Sequence, residues 1–170
     1  MLSEKLLKTL NEQITHELYA SHLYIAMAAH CESIDLEGCA NFFLMQAEEE
    51  KFHAMKIYHY INDMDGEVVL EALENPYRKY DSVLDVFESA LAHEKIVTGK
   101  IYDLMEIAVD EREYATVSFL NWFVDEQVEE EASFKTLIQK FKVAINDEGM
   151  LHMLDNELGT RVFTPPNPEE

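Results

Sequence analysis

Four long segments of this chain carry helical periodicity with almost no helix-breaking residues. Apolar residues recur three and four positions apart in each segment, and only Gly99 interrupts one of them. At 1.5 Å per residue, helices of about 30 residues are about 45 Å long. The pattern predicts an all-α fold with four long helices and a short fifth one, at about residues 3–34, 37–65, 82–111, 113–145 and 147–158.

The lengths of the connections predict how these helices are arranged. Short links make helices one and two antiparallel, and the same holds for helices three and four. The stretch 66–81 contains Pro76 and is too long for a tight turn; fully extended, its 16 residues reach roughly 50 Å. It can run the length of the bundle and make helices two and three parallel. We expect one four-helix-bundle domain over residues 1–160, with this long crossover, and a loose tail over 161–170.

Charge and composition limit the partners and the location of the chain. Thirteen Lys and Arg face 34 Asp and Glu, a formal net charge of −21, which disfavours nucleic acid as a partner. No uncharged apolar run approaches the roughly 20 residues of a membrane span. The first residues lack the order of a signal peptide, and Cys31 and Cys39, without a CxxC pattern, suggest reduced structural thiols. We therefore expect a cytoplasmic protein that binds neither membrane nor nucleic acid.

Carboxylates stand near the midpoints of the apolar stripes, at positions where leucine is usual. An unpaired buried carboxylate costs several kcal/mol, and no Lys or Arg lies on these stripes. A bound metal is therefore the best source of compensating charge. The polar residues at this depth are Glu17 on helix one, Glu50 and His53 on helix two, Glu94 on helix three, and Gln127 and Glu130 on helix four.

The residue types in this group favour iron or manganese. Helical di-iron proteins use one glutamate from each of two helices and a Glu-x-x-His pair from each of the other two. Glu17 and Glu94 match the single glutamates, and Glu50 with His53 matches one pair. Oxygen ligands with a single imidazole suit iron or manganese. One glutamate alone would more often indicate a misjudged register, and His53 alone a core histidine; the coincidence of four stripes favours metal.

Three segments, ELYASHLY, AEEEKFHAMK and FLNWFVDEQVEEEAS, closely resemble those of the non-haem ferritins of bacteria and archaea. The resemblance extends over residues 1 to about 163 and implies a ferritin-like bundle that oxidises Fe(II) with dioxygen or peroxide and stores the Fe(III) mineral. It also implies two irons per subunit. One iron would take Glu17, Glu50 and His53, and the other Glu94 and Glu130, with Glu50 as the bridge and Gln127 beside the second iron.

The resemblance further implies a possible third iron position beside the pair. Its residues are Glu49, Glu126 and Glu129, with Glu130 shared. Glu49, Glu126 and Glu129 each precede a stripe residue by one, which turns them about 100° around their helix. A solvated acidic face is the alternative for these three. Tyr24 and Trp122 match aromatic neighbours of the site and are candidate electron donors, although core aromatic residues commonly only pack.

Two relatives of these ferritins fit less well. Bacterioferritin has a second Glu-x-x-His pair where this chain has Gln127 and Glu130. Lys51 stands where a haem-binding methionine would be required, so no haem is expected. The paired CxxC motifs of rubrerythrin are missing from the sequence as well.

The resemblance implies a homo-oligomer, a shell of 24 subunits. The fifth helix agrees with it, because a finished four-helix bundle has little room for another apolar face. We expect that face to pack against neighbouring subunits. It consists of Met150, Leu151, Met153, Leu154 and Leu158.

An iron store with ferroxidase activity is the function that these features predict. Two other functions remain open. One is a di-iron oxygenase or peroxidase that acts on another substrate, which would need a substrate pocket or a reductase partner. The other is a metal-buffering cage without turnover.

Overall fold

The computed structural model of the chain describes residues 2–166, and within that range it contains five helices and no strand. Every helix begins and ends within two residues of its predicted limits, so the all-α prediction is confirmed. None of the five is both long enough and apolar enough to cross a membrane. The helices are α1 (Glu4–Ser33), α2 (Glu37–Asp63), α3 (Val83–Asp110), α4 (Tyr114–Ala144) and α5 (Glu148–Leu158).

Side-chain caps begin three of the helices. The Ser3 hydroxyl accepts the backbone N–H of Leu6 at 3.0 Å, as its place before α1 predicts. Ser82 caps α3 and Asp147 caps α5 in the same way. These caps satisfy backbone donors that have no partner within the helix.

The start of α2 is capped from a distance. Its first residues follow Leu36, which offers no side-chain acceptor. The Asp155 carboxylate on α5 instead accepts the backbone N–H groups of Gly38 at 3.1 Å and Cys39 at 2.7 Å. A Cβ on Gly38 would lie 1.7 Å from the Asp155 carbonyl oxygen, so only glycine permits this approach. Helix α5 is therefore docked on its own bundle.

The crossover runs the length of α1. Near the start of α1, the Asn11 side chain donates to the Glu67 carbonyl at 3.0 Å and accepts the Val69 N–H at 2.7 Å. Near the end of α1, the ring of His30 lies 5.2 Å from that of buried Tyr80. The crossover therefore returns the chain to the other end of the bundle, which makes α2 and α3 parallel as predicted.

Docking of α5 corrects one expectation. Leu154 and Leu158 are buried against the chain's own bundle, so the bundle does have room for part of that apolar face. Met150 and Met153 remain 44% and 72% exposed. Within the predicted tail, Phe163 N–H donates to the Met45 sulfur at 3.3 Å. Residues 167–170 of the tail lie outside the described range.

The core consists of two apolar clusters with a polar layer between them. One cluster surrounds Tyr24, Phe43, Phe87, Phe134 and Phe141. The other surrounds Ile14, Ile57, Ile61, Ile101 and Phe123. The layer between them lies near the middle of the four long helices, at the level where the sequence places carboxylates on the stripes.

Candidate metal centre

The polar layer, called here the buried layer, draws side chains from all four long helices. Each member is at most 6% exposed. All six residues that the stripes predicted are present, together with Gln46 from α2. The members are Glu17, Gln46, Glu50, His53, Glu94, Gln127 and Glu130.

One half of the buried layer has the shape of a cation site. His53 Nδ1 lies 3.4 Å from Glu50 Oε2 and 3.9 Å from Glu17 Oε2. Ligand atoms of these three residues all lie within 4.8 Å of one another. Gln13 donates to Glu17 Oε1 at 2.7 Å, whereas Glu17 Oε2 is buried and finds no hydrogen-bond partner in the described part of the chain. A buried acceptor with no donor fits a position that a metal ion would complete.

In the other half, hydrogen bonds orient the carboxylates. Glu94 accepts the Tyr24 hydroxyl at Oε1 and the Gln127 amide at Oε2, the latter at 3.1 Å. Glu130 accepts the Gln46 amide at 2.9 Å. These donors are neutral, so they fix the direction of each carboxylate without cancelling its charge. Within residues 2–166, no lysine or arginine forms an ion pair with the glutamates of the buried layer.

Without a bound cation, burial favours the neutral forms of the carboxyl groups in the buried layer and of His53. Burial, and then the neighbouring carboxylates, hold the pKa values of Glu50 and Glu130 well above the usual range. Burial raises the pKa of Glu94 to about 7, against the hydrogen bonds from Tyr24 and Gln127, which lower it. Burial also lowers the pKa of His53 to about 3. The imidazole is therefore neutral and available as a ligand, and the carboxylates release protons when a cation binds.

A second, smaller cluster flanks the buried layer. Ligand atoms of Glu49, His53 and Glu126 all lie within 4.8 Å of one another, and both glutamates are half-buried. Burial and then the Glu49 charge raise the pKa of Glu126 to about 7. Glu129 is exposed, and its charge also raises the pKa of Glu49 and Glu126. We call Glu49, Glu126 and Glu129 the flanking cluster; the structure brings the first two together and leaves Glu129 at the rim.

The pattern of the ferritin-like domain family matches residues 7–144, which is most of the chain. The chain belongs to the ferritin family. It is 48% identical to bacterial non-heme ferritin from Staphylococcus aureus strain MRSA252 over 163 residues, which is 96% of this chain and 98% of the relative. It is 47% identical, with the same coverage of both chains, to bacterial non-heme ferritin from Staphylococcus saprophyticus.

Solved ferritin structures share the fold. An engineered closed form of Archaeoglobus fulgidus ferritin has a TM-score of 0.95 and 42% identity, covering 96% of this chain and 100% of the other. The open pore ferritin from the same archaeon has a TM-score of 0.94 and 41% identity, covering 95% and 100%. The ferritin-like bundle is thus confirmed by solved structures.

Sequence reasoning missed three side chains around the site of this ferritin. Gln13 and Gln46 donate to carboxylates of the buried layer, and Arg161 donates to Glu49 Oε2 at 2.7 Å. Gln46 already lay on the apolar stripe of helix two, which is a signal that could have found it. Arg161 is 112 residues from its partner, so no local pattern points to that pair.

Proposed function

We propose that this ferritin is a ferroxidase and iron store, and that Fe(II) is its substrate at the buried layer. The observation that carries the proposal is that five side chains converge at one depth and that none of them pairs with a lysine or arginine of residues 2–166. They are Glu17, Glu50, Glu94, Glu130 and His53. Such a group binds cations because only an added positive charge lets all four carboxylates ionise together. The donors are oxygen-rich, which suits iron.

In the proposed arrangement, each half of the buried layer holds one Fe(II). Glu17, Glu50 and His53 hold the first, Glu94 and Glu130 hold the second, and Glu50 bridges the two. The family to which the chain belongs supports this assignment. The flanking cluster provides a third, weaker position, with Glu130 shared.

The outer donors keep these ligands in place during the reaction. Gln13, Gln46, Gln127 and Tyr24 fix the carboxylates of the buried layer through hydrogen bonds. The apolar clusters on both sides keep water away from the bound ions. Each Fe(II) gives up one electron, and dioxygen accepts two electrons and two protons to become hydrogen peroxide. The chemistry of the redox step belongs to iron and oxygen, and the chain supplies position and charge.

We also propose that the chain assembles into a shell of 24 subunits in the cytoplasm and keeps the oxidised iron inside as mineral. Membership of the ferritin family supports a homo-oligomer. The exposed Met150 and Met153 side chains on α5 offer apolar surface to neighbouring subunits. Particle mass by light scattering tests this part, and a monodisperse monomer at neutral pH would contradict it.

Oxygen uptake by the metal-free protein tests the activity. Anaerobic Fe(II) at two ions per subunit is mixed with aerated buffer while dissolved oxygen and Fe(III) absorbance are followed. We expect rapid uptake of about one dioxygen per two Fe(II), followed by retention of iron in the assembled particle. Uptake no faster than that of free Fe(II) would favour the metal-buffering cage. Turnover without retained iron would favour the oxygenase or peroxidase.

A further inference from the structure

The residues after α5 lie along one face of α2. The Asn41 side chain donates to the carbonyl oxygens of Leu158 at 3.2 Å and Arg161 at 3.0 Å. Further along, the ring of Phe163 lies 6.0 Å from that of Phe52, which is itself 6.3 Å from the His53 ring. We call residues 159–163 the strap. Its backbone is held by α2, and it passes directly beside the flanking cluster.

One side chain of the strap reaches into the flanking cluster. Arg161 Nη2 donates to Glu49 Oε2 at 2.7 Å, and the guanidinium lies 4.4 Å from the centre of the Phe42 ring. The two charged side chains are only 27% and 18% exposed. The other terminal nitrogen, Arg161 Nη1, is buried and has no hydrogen-bond partner among residues 2–166. The chain therefore places a cation of its own on a carboxylate that also lies within ligand distance of His53 and Glu126.

We propose that Arg161 is an internal competitor for the cation position of the flanking cluster. Its guanidinium holds Glu49 while the position is empty, and a third metal ion binds there only by displacing it. This inference rests on the proposed function, since it assumes that the flanking cluster accepts iron.

The geometry makes such displacement a local event. Asn41 holds the backbone of the strap, so only the Arg161 side chain has to move when a metal ion arrives. The Arg161 guanidinium lies 2.7 Å from Glu49, so it would repel a metal ion bound to the same carboxylate. Glu49 cannot fully satisfy both cations. The tethered guanidinium stays close by and competes at a high effective concentration. The third position is therefore weaker than the buried pair, and it releases its ion first.

Titration with Zn²⁺ tests the competition without any redox chemistry. Calorimetry is performed on the full, metal-free protein as wild type and as Arg161→Gln, Arg161→Lys and Arg78→Gln. Arg78 is the matched control, because it pairs with Asp85 at 3.3 Å on an exposed surface. Glu49→Gln identifies the binding event that belongs to the flanking cluster, since that event should disappear in it.

We expect Arg161→Gln to bind Zn²⁺ at the flanking cluster roughly tenfold more tightly or better, with a smaller gain at the buried layer, where the Arg161 charge also lowers the pKa of Glu130. Arg161→Lys keeps the charge and should stay close to wild type, as should Arg78→Gln. A merely structural anchor would not raise affinity when its charge is removed. Affinity that is unchanged or weakened in Arg161→Gln would overturn the inference. If neither the wild type nor any variant shows two strong binding events at the buried layer, the proposed function is contradicted instead.

Discussion

Two groups of carboxylates lie side by side in this ferritin, and they differ in what compensates their charge. In the buried layer, Glu94 and Glu130 receive hydrogen bonds from neutral amides and a phenol. In the flanking cluster, Glu49 receives a guanidinium. Glu49 and Glu50 are neighbours in sequence, yet Glu49 is paired with Arg161, whereas Glu50 lies beside His53 and among the carboxylates of the buried layer.

The difference explains why one group should bind metal more tightly than the other. Neutral donors orient a carboxylate but leave its charge to be balanced by a proton or a metal ion. An arginine balances the charge itself, so an incoming metal ion has to displace it. The buried layer therefore binds metal ions without competition from a side-chain cation, whereas a metal ion at the flanking cluster has to compete with Arg161.

Adjacent substitutions on α2 give the largest expected contrast. Glu50→Gln removes the proposed bridge and should slow the initial oxidation of two Fe(II) per subunit by more than about 100-fold, because losing even an outer partner of a metal ligand costs about 10- to 100-fold. Glu49→Gln should leave that initial rate within about twofold. Stopped-flow absorbance of Fe(III) measures both. Equal slowing in the two variants would remove the distinction between the groups.

His53 gives a second, smaller contrast. His53→Ala removes one neutral ligand while the carboxylates stay, so we expect the initial oxidation rate to fall roughly tenfold or more with the shell still assembled. His59 is an exposed histidine on the same helix and serves as the control, because His59→Ala should behave as wild type. An unchanged initial rate in His53→Ala would refute its assignment as a ligand.

The metal-free protein should lose stability as pH rises above neutral. Burial raises the folded-state pKa of Glu94 from its usual 4.5 to about 7, and burial together with the neighbouring carboxylates holds the pKa values of Glu50 and Glu130 well above 4.5. Between pH 4.5 and these folded-state values, the folded state holds more protons than the unfolded state, so stability falls as pH rises through that window.

Between pH 7 and 8 histidines are largely neutral in both states, and burial keeps the Cys31 and Cys39 thiols protonated in the folded state while unfolded thiols are still mostly protonated, so the glutamates dominate this slope. We expect the unfolding midpoint to fall over this range, by about 2–4 °C for each kcal/mol of stability lost. Thermal unfolding followed by circular dichroism measures the loss. Glu94→Gln should reduce it, and saturation with Zn²⁺ should abolish it. A metal-free protein whose midpoint rises over this range would contradict the electrostatic account.

The fold and the buried layer were largely predictable because their signals repeat along the sequence. Helical periodicity locates all five helices, and it also locates Glu17, Glu50, Glu94 and Glu130, which stand out against an apolar stripe. The length of residues 66–81 was enough to predict the direction of α3. Such features depend on spacing within one segment or on the length of one connection.

Contacts between distant segments were not predictable in this way. Asp155 caps α2 from 117 residues away, and Arg161 reaches Glu49 from 112 residues away. Neither position has a periodic signal, because each is set by how α5 docks on the bundle. The turn after α2 is a smaller example. A glycine is the usual residue for the left-handed conformation, yet Asp65 takes it, with φ of 56°. A Cβ on Gly66 would lie 2.9 Å from side-chain atoms of Leu7 and Ile61, so this glycine serves close packing.

Anomalous diffraction from crystals soaked with Fe(II) under anaerobic conditions tests the central claim most directly. We predict two strong iron peaks per subunit in the buried layer, one beside Glu17, Glu50 and His53 and the other beside Glu94 and Glu130. A weaker peak at the flanking cluster should gain occupancy in Arg161→Gln. A buried layer without iron at saturating Fe(II), in crystals that bind iron only at surface carboxylates, would contradict the account.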